Sequence, residues 1–80
     1  MNITYSKRAI KVINGLDVPT KQRIKQGIED IPKGDIKRLQ GHTELYRLRV
    51  GSFRVVFSYP DDETVLIESV APRGSVYKGV

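Results

Sequence analysis

Apolar and polar side chains alternate at almost every step from Tyr46 to Phe57, with one break at Gly51-Ser52. Alternation of this period marks strands with one face in a core and the other toward water. Two such runs about a Gly-Ser break predict a β-hairpin, and glycine at the first turn position suits a type II′ turn. That turn sets Val50 opposite Phe53, Arg49 opposite Arg54, Leu48 opposite Val55, Arg47 opposite Val56 and Tyr46 opposite Phe57. One face then carries Tyr46, Leu48, Val50, Phe53, Val55 and Phe57. The other carries Arg47, Arg49 and Arg54, with Val56.

The flanking segments supply what such a sheet needs. Asn2 to Tyr5 alternates and predicts a short first strand. Ser6 is placed to cap a helix over Lys7–Leu16, with Ala9, Ile10, Ile13 and Leu16 as its apolar stripe and Gly15 at its end. Asp17 or Val18 starts a second helix with Pro19 in its first turn, Ile24, Ile28 and Ile31 buried, and Gly27 allowing close approach. Pro32-Lys33-Gly34 stops it. Asp35 to Glu44 reads as an irregular stretch anchored by Ile36 and Leu39, and Pro60-Asp61-Asp62 as a turn before a strand over Glu63–Val70. In the expected register Phe57 faces Val65, Val55 faces Ile67 and Arg54 faces Glu68, and the chain leaves the sheet at Pro72. The order β-α-α-β-β-β predicts an α+β domain over residues 1–80. An αα-hairpin covers one face of an antiparallel sheet, and the basic face stays open.

Charge gives that open face a meaning. Arg49 against Arg54 is a like-charge cross-strand pair, unfavourable by ~0.2–1 kcal/mol, and Arg47 lies on the same face. Stability alone does not ask for this arrangement, whereas a phosphodiester backbone does. The competing account is a solvated face whose arginine stems cover the sheet. With 14 Lys and Arg against 9 Asp and Glu, the formal net charge is +5, which favours nucleic acid or an acidic partner. The chain has no cysteine and a single histidine, His42, so no disulfide, metal site or cofactor is expected. No run is long enough to span a bilayer and no signal peptide opens the chain, so the cytoplasm is the expected compartment.

Three phrases carry a family likeness: Arg38-Leu39-Gln40-Gly41, the hairpin from Leu45 to Val55, and the ending Ser69-Val70-Ala71-Pro72-Arg73-Gly74-Ser75-Val76-Tyr77-Lys78. With the element order, they resemble the RelE/ParE toxin superfamily of type II toxin–antitoxin systems, in its RelE-like branch. The resemblance implies a ribosome-dependent, metal-independent endoribonuclease. Such a toxin cuts mRNA in the A site by attack of a 2′-hydroxyl on the adjacent phosphate, leaving a 2′,3′-cyclic phosphate and a 5′-hydroxyl end. It also implies a cognate antitoxin that silences the toxin, with operator DNA touched only through that antitoxin.

Carried over by position, Arg47, Arg49, Arg54, Arg73 and Tyr77 match the family's functional residues. Arg49, Arg54, Arg73 and Tyr77 are the catalytic candidates and Arg47 an RNA-binding one, with the nearby basic residues Lys37, Arg38 and Lys78 as further RNA-binding candidates. The arginines would hold the backbone and stabilise developing negative charge. Arg73 would clamp the scissile phosphate or assist the leaving group, and Tyr77 would stack on a base or accept the 2′-hydroxyl proton. Arginine does not deprotonate in proteins, so the general base must come from Tyr77, Glu44, His42 or Lys78. The other readings are a ParE-like inhibitor of DNA gyrase and a nucleic-acid-binding module without catalysis.

Overall fold

Two side-chain caps set the helices. The Ser6 hydroxyl accepts from the Ala9 amide at 3.0 Å and opens α1 (Lys7–Asn14), which ends at Gly15. The Asp17 carboxylate accepts from the Thr20 amide at 3.3 Å and opens α2 (Val18–Glu29), with Pro19 in its first turn. The structure, a computed structural model, describes residues 2–39 and 44–72.

Around the helices the chain forms five strands: β1 (Asn2–Tyr5), β2 (Asp35–Arg38), β3 (Tyr46–Val50), β4 (Phe53–Asp61) and β5 (Thr64–Pro72). They make one sheet in the order β1-β5-β4-β3-β2. The architecture is α+β, as expected, but with one strand more. Asp35–Arg38, expected to be irregular, pairs antiparallel with β3. Only Ile36 of its four residues turns toward the core, the habit of a short charged edge strand. The sheet is also not wholly antiparallel. β1 runs parallel to β5, because the chain crosses over through both helices before it returns.

The β3–β4 hairpin has the predicted register at all five pairs. Gly51 adopts φ +56° and Ser52 stays at negative φ, which fits the type II′ turn and not type I′. The β4–β5 register differs from expectation. Val55 faces Val70, Val56 faces Ser69, Phe57 faces Ile67 and Arg54 faces Ala71. Between the second and third of these pairs Glu68 is an extra residue, a β-bulge. The bulge resets the alternation so that Ile67 and Val70, three apart, both reach the core. β4 also runs on to Asp61, with the ladder broken across Tyr59 and Pro60, and Pro72 still pairs with Phe53.

The main core lies between helices and sheet: Ala9, Ile13, Ile24, Ile28 and Ile31 against Leu48, Val55, Phe57, Val65, Ile67 and Val70. Ile10, expected in the stripe, is 44% exposed, and Val12 packs in its place. It lies about 100° round the helix from Ala9, off the axis that Ala9, Ile13 and Leu16 share. At Gly27 an added Cβ would sit 2.8 Å from Val50 Cγ2, so the expected close approach of α2 to β3 is present. Among the described residues no helix is long and apolar enough to cross a membrane.

Candidate functional site

Strand register builds the site. On the face away from the helices, cross-strand neighbours form two rows. The first reads Asp35, Arg49, Arg54, Ala71 and the second Lys37, Arg47, Val56, Ser69. Arg47, Arg49, Arg54 and Lys37 thus share one face of the sheet. Arg38 does not join them. It lies on the helix-side face beyond the core, donating from Nη2 to the Tyr46 hydroxyl at 3.2 Å, with its guanidinium 5.5 Å from that ring.

The arginine face is less open than the sequence suggests. Arg47 and Arg54 are each only 8% exposed. Leu39 and Leu45, joined by a 2.9 Å backbone hydrogen bond, pack over Val56 with Ala71 as a second, small apolar cluster. The guanidinium groups therefore sit where solvent screens them less than at a free surface.

The carboxylate that meets Arg47 and Arg49 is Asp35, and Glu68, expected opposite Arg54, is displaced by the bulge. Asp35 Oδ1 lies 3.4 Å from Arg47 Nη1 and Oδ2 lies 3.8 Å from Arg49 Nη1, and Arg47 Nη1 also donates to the Asp35 carbonyl at 3.4 Å. The contacts are long and Asp35 is half exposed, so the pairing is loose and exchangeable. Arg49 Nε is buried with no hydrogen-bond partner among the described residues. A buried donor of this kind suits an incoming acceptor. The Glu68 carboxylate instead accepts from the Ser58 hydroxyl at 2.9 Å. The sequence expectation of an irregular Asp35–Glu44 hides Asp35 as a partner, although the alternation Asp35-Ile36-Lys37 points to a strand.

Of the candidate bases, Glu44 is exposed and lines a pocket of about 390 Å³ with Tyr46, Ser58, Tyr59, Pro60 and Leu66. Burial, with Tyr46 beside it, pushes the Tyr59 hydroxyl above its ordinary value of 10.0, so Tyr59 is no proton acceptor at neutral pH. Arg73, Tyr77, Lys78 and His42 lie outside the described residues.

No protein-family model matches the chain. A Methanocaldococcus jannaschii protein described as a candidate toxin, RelE1, is 36% identical over 85 residues, covering 96% of this chain and 94% of the relative. A chain of the RelB–RelE antitoxin–toxin complex from Methanococcus jannaschii superposes with TM-score 0.75 at 27% identity, over 92% of this chain and 94% of that one. The archaeal RelE–RelB complex from Pyrococcus horikoshii gives TM-score 0.71 at 28% identity, over 91% and 94%.

Proposed function

The chain belongs to the RelE branch of the RelE/ParE toxin superfamily, and from that premise we propose that it is a ribosome-dependent endoribonuclease held silent by a cognate antitoxin. The observation that carries the proposal is the shared outer face of Arg47, Arg49 and Arg54, with the Asp35 carboxylate loosely held by Arg47 and Arg49. Membership in the family supports the antitoxin, since the two archaeal structural relatives are complexes with RelB.

Cleavage forms a bond from the 2′-oxygen to phosphorus and breaks the bond from phosphorus to the 5′-oxygen. A base takes the 2′-hydroxyl proton and an acid returns one to the 5′-oxygen, so no water or metal need enter the step. Arg49 and Arg54, side by side, would meet the non-bridging oxygens as charge builds on them. Arg47 and Lys37 in the next row would hold the neighbouring phosphate. Arg38, on the other face, would touch RNA only around the sheet edge. The resemblance adds Arg73 as phosphate clamp, with Tyr77 and Lys78, to complete the assignment. With no arginine able to act as base, much of the rate would come from the ribosome orienting mRNA.

The test is a translation reaction with purified ribosomes in which mRNA 5′ ends are mapped. The expected result is cleavage inside codons at the A site, 2′,3′-cyclic phosphate ends, silence when antitoxin is added, and little cutting of free RNA. Intact mRNA alongside inhibited gyrase supercoiling would overturn it. Arg73→Ala and Tyr77→Phe should keep the fold and antitoxin binding while relieving growth arrest. Full toxicity in both variants would remove these residues from the site.

A further inference from the structure

A second feature lies on the same face as the arginines and has no part in holding phosphate. Ser6, Arg8, Leu45, Val56, Glu68 and Ser69 enclose a pocket of about 300 Å³. Its floor is apolar: Val56 is 3% exposed and packs in a cluster with Leu45. Its polar groups come from the β-bulge and the start of α1. In an unbroken strand Glu68 and Ser69 would face opposite sides of the sheet. The bulge turns both into the pocket while Val70 returns to the core. The bulge is pinned from both sides. The Ser6 hydroxyl donates to the Glu68 carbonyl at 2.7 Å, and the Ser58 hydroxyl donates to Glu68 Oε2 at 2.9 Å.

We infer that this pocket takes one base of the bound RNA and that Glu68 selects guanine there. The inference rests on the nuclease reading for the presence of RNA, and on the pocket's own chemistry for the choice of base. Val56 lies directly across from Arg47 and two residues along β4 from Arg54, that is ~4.5–7 Å from either position. The volume stands at the small end of ligand pockets, which span ~300–1,000 Å³, and suits one base, not two. Leu45, only partly buried above Val56, offers apolar contact to the flat face of a base.

The edge is read by charge. An ionised carboxylate only accepts hydrogen bonds. Guanine alone presents two adjacent donors, N1–H and the 2-amino group, on its pairing edge. Uracil presents one N–H between two carbonyl oxygens, which repel a carboxylate. Cytosine and adenine each offer an amino group beside an acceptor nitrogen. Arg8 at the same pocket supplies donors of the kind that guanine O6 and N7 accept.

The experiment titrates GMP, AMP, CMP and UMP into the full chain and follows backbone amide shifts. GMP should move the amides of Leu45, Val56, Glu68 and Ser69. It should bind more tightly than UMP by about fivefold or more, the low end of what one two-pronged contact discriminates. Glu68→Gln should bring GMP down to the level of UMP and leave the core resonances in place, since the glutamine carbonyl still accepts from Ser58. Equal affinity for all four nucleotides, shifts confined to the arginines, no shifts at all, or a GMP preference that survives Glu68→Gln would each overturn the inference. The comparison of nucleotides on the unaltered protein needs no variant to fold. Ribosomal cleavage is read separately, so a chain that cuts mRNA without preferring GMP loses only this pocket. One that prefers GMP through Glu68 but never cuts loses only the nuclease reading.

Discussion

The two faces of one sheet are built from the same strands and obey different rules. Toward the helices, Leu48, Val55, Phe57, Val65, Ile67 and Val70 are each at most 2% exposed and pack in one apolar cluster. Their burial is the stabilising term of the fold. On the other face Arg47 and Arg54 are almost as hidden, Arg49 stands directly across from Arg54, and the half-exposed Asp35 carboxylate meets Arg47 at 3.4 Å and Arg49 at 3.8 Å. A like-charge cross-strand pair opposes folding. The inner face is therefore explained by stability, whereas the pairing of Arg49 with Arg54 is not.

The largest expected effect breaks the inner face. Phe57 is fully buried, with its ring 5.6 Å from Tyr46 and 5.5 Å from Tyr59. Phe57→Ala should cost about 3–5 kcal/mol of unfolding free energy, measured by urea denaturation. A loss under about 1 kcal/mol would mean that the inner face is not the stabilising one. The outer face should respond the opposite way. Arg49→Ala should lower ribosomal cleavage by about 10²–10³-fold, while stability stays within about 1 kcal/mol of the parent, because it also relieves the pair with Arg54. A variant that unfolds would place Arg49 among the structural residues.

The contrast between faces was legible in the sequence wherever strand alternation was unbroken. The hairpin needed only a two-residue turn at Gly51-Ser52, and its whole register followed, including Arg49 opposite Arg54. The β4–β5 pairing did not follow, because one added residue at Glu68 shifts every later pair. The clue was the three-residue step between Ile67 and Val70, which no regular strand can bury on one side. β2 was hidden for another reason. With a single apolar residue, Ile36, its strand character comes from pairing with β3 and not from its own sequence. Missing β2 meant missing Asp35 as the partner of Arg47 and Arg49, and it left Lys37 without its place beside Arg47.

A smaller effect sharpens how the inner face is closed. Gly27 lets α2 approach Val50 so nearly that a Cβ would fall 2.8 Å from Val50 Cγ2. Alanine gains about 1 kcal/mol over glycine in a helix interior, but overpacking a branched side chain costs about 1–3 kcal/mol. Gly27→Ala should therefore destabilise the parent by roughly 1 kcal/mol on balance. In a Val50→Ala background the same change should stabilise, because the obstructing methyl is gone. Denaturation of the four members of this cycle decides it. Simple additivity would show that the helix shifts freely over the sheet.

The smallest effect concerns acid, and it belongs to the ends of elements, not to either face. Asp17 accepts from the Thr20 side chain and its amide, and Asp61 from the Glu63 amide at 2.8 Å and the Thr64 hydroxyl at 3.1 Å. These bonds favour the ionised forms and hold both carboxyls below the ordinary 3.8. The sign follows from linkage. Each contributes stability that is fully present above the unfolded value of 3.8 and is lost as pH falls through the lower folded value. Asp17→Asn keeps an oxygen to cap α2 but has nothing to protonate, so at neutral pH it should melt close to the parent. Below pH 4 its loss of stability should be shallower, moving the acid midpoint by about a few tenths of a pH unit. Both carboxyls are exposed, so added salt should leave this difference nearly intact if hydrogen bonding sets it. A difference that salt abolishes would mean that long-range attraction to the basic residues, and not the cap, lowers Asp17.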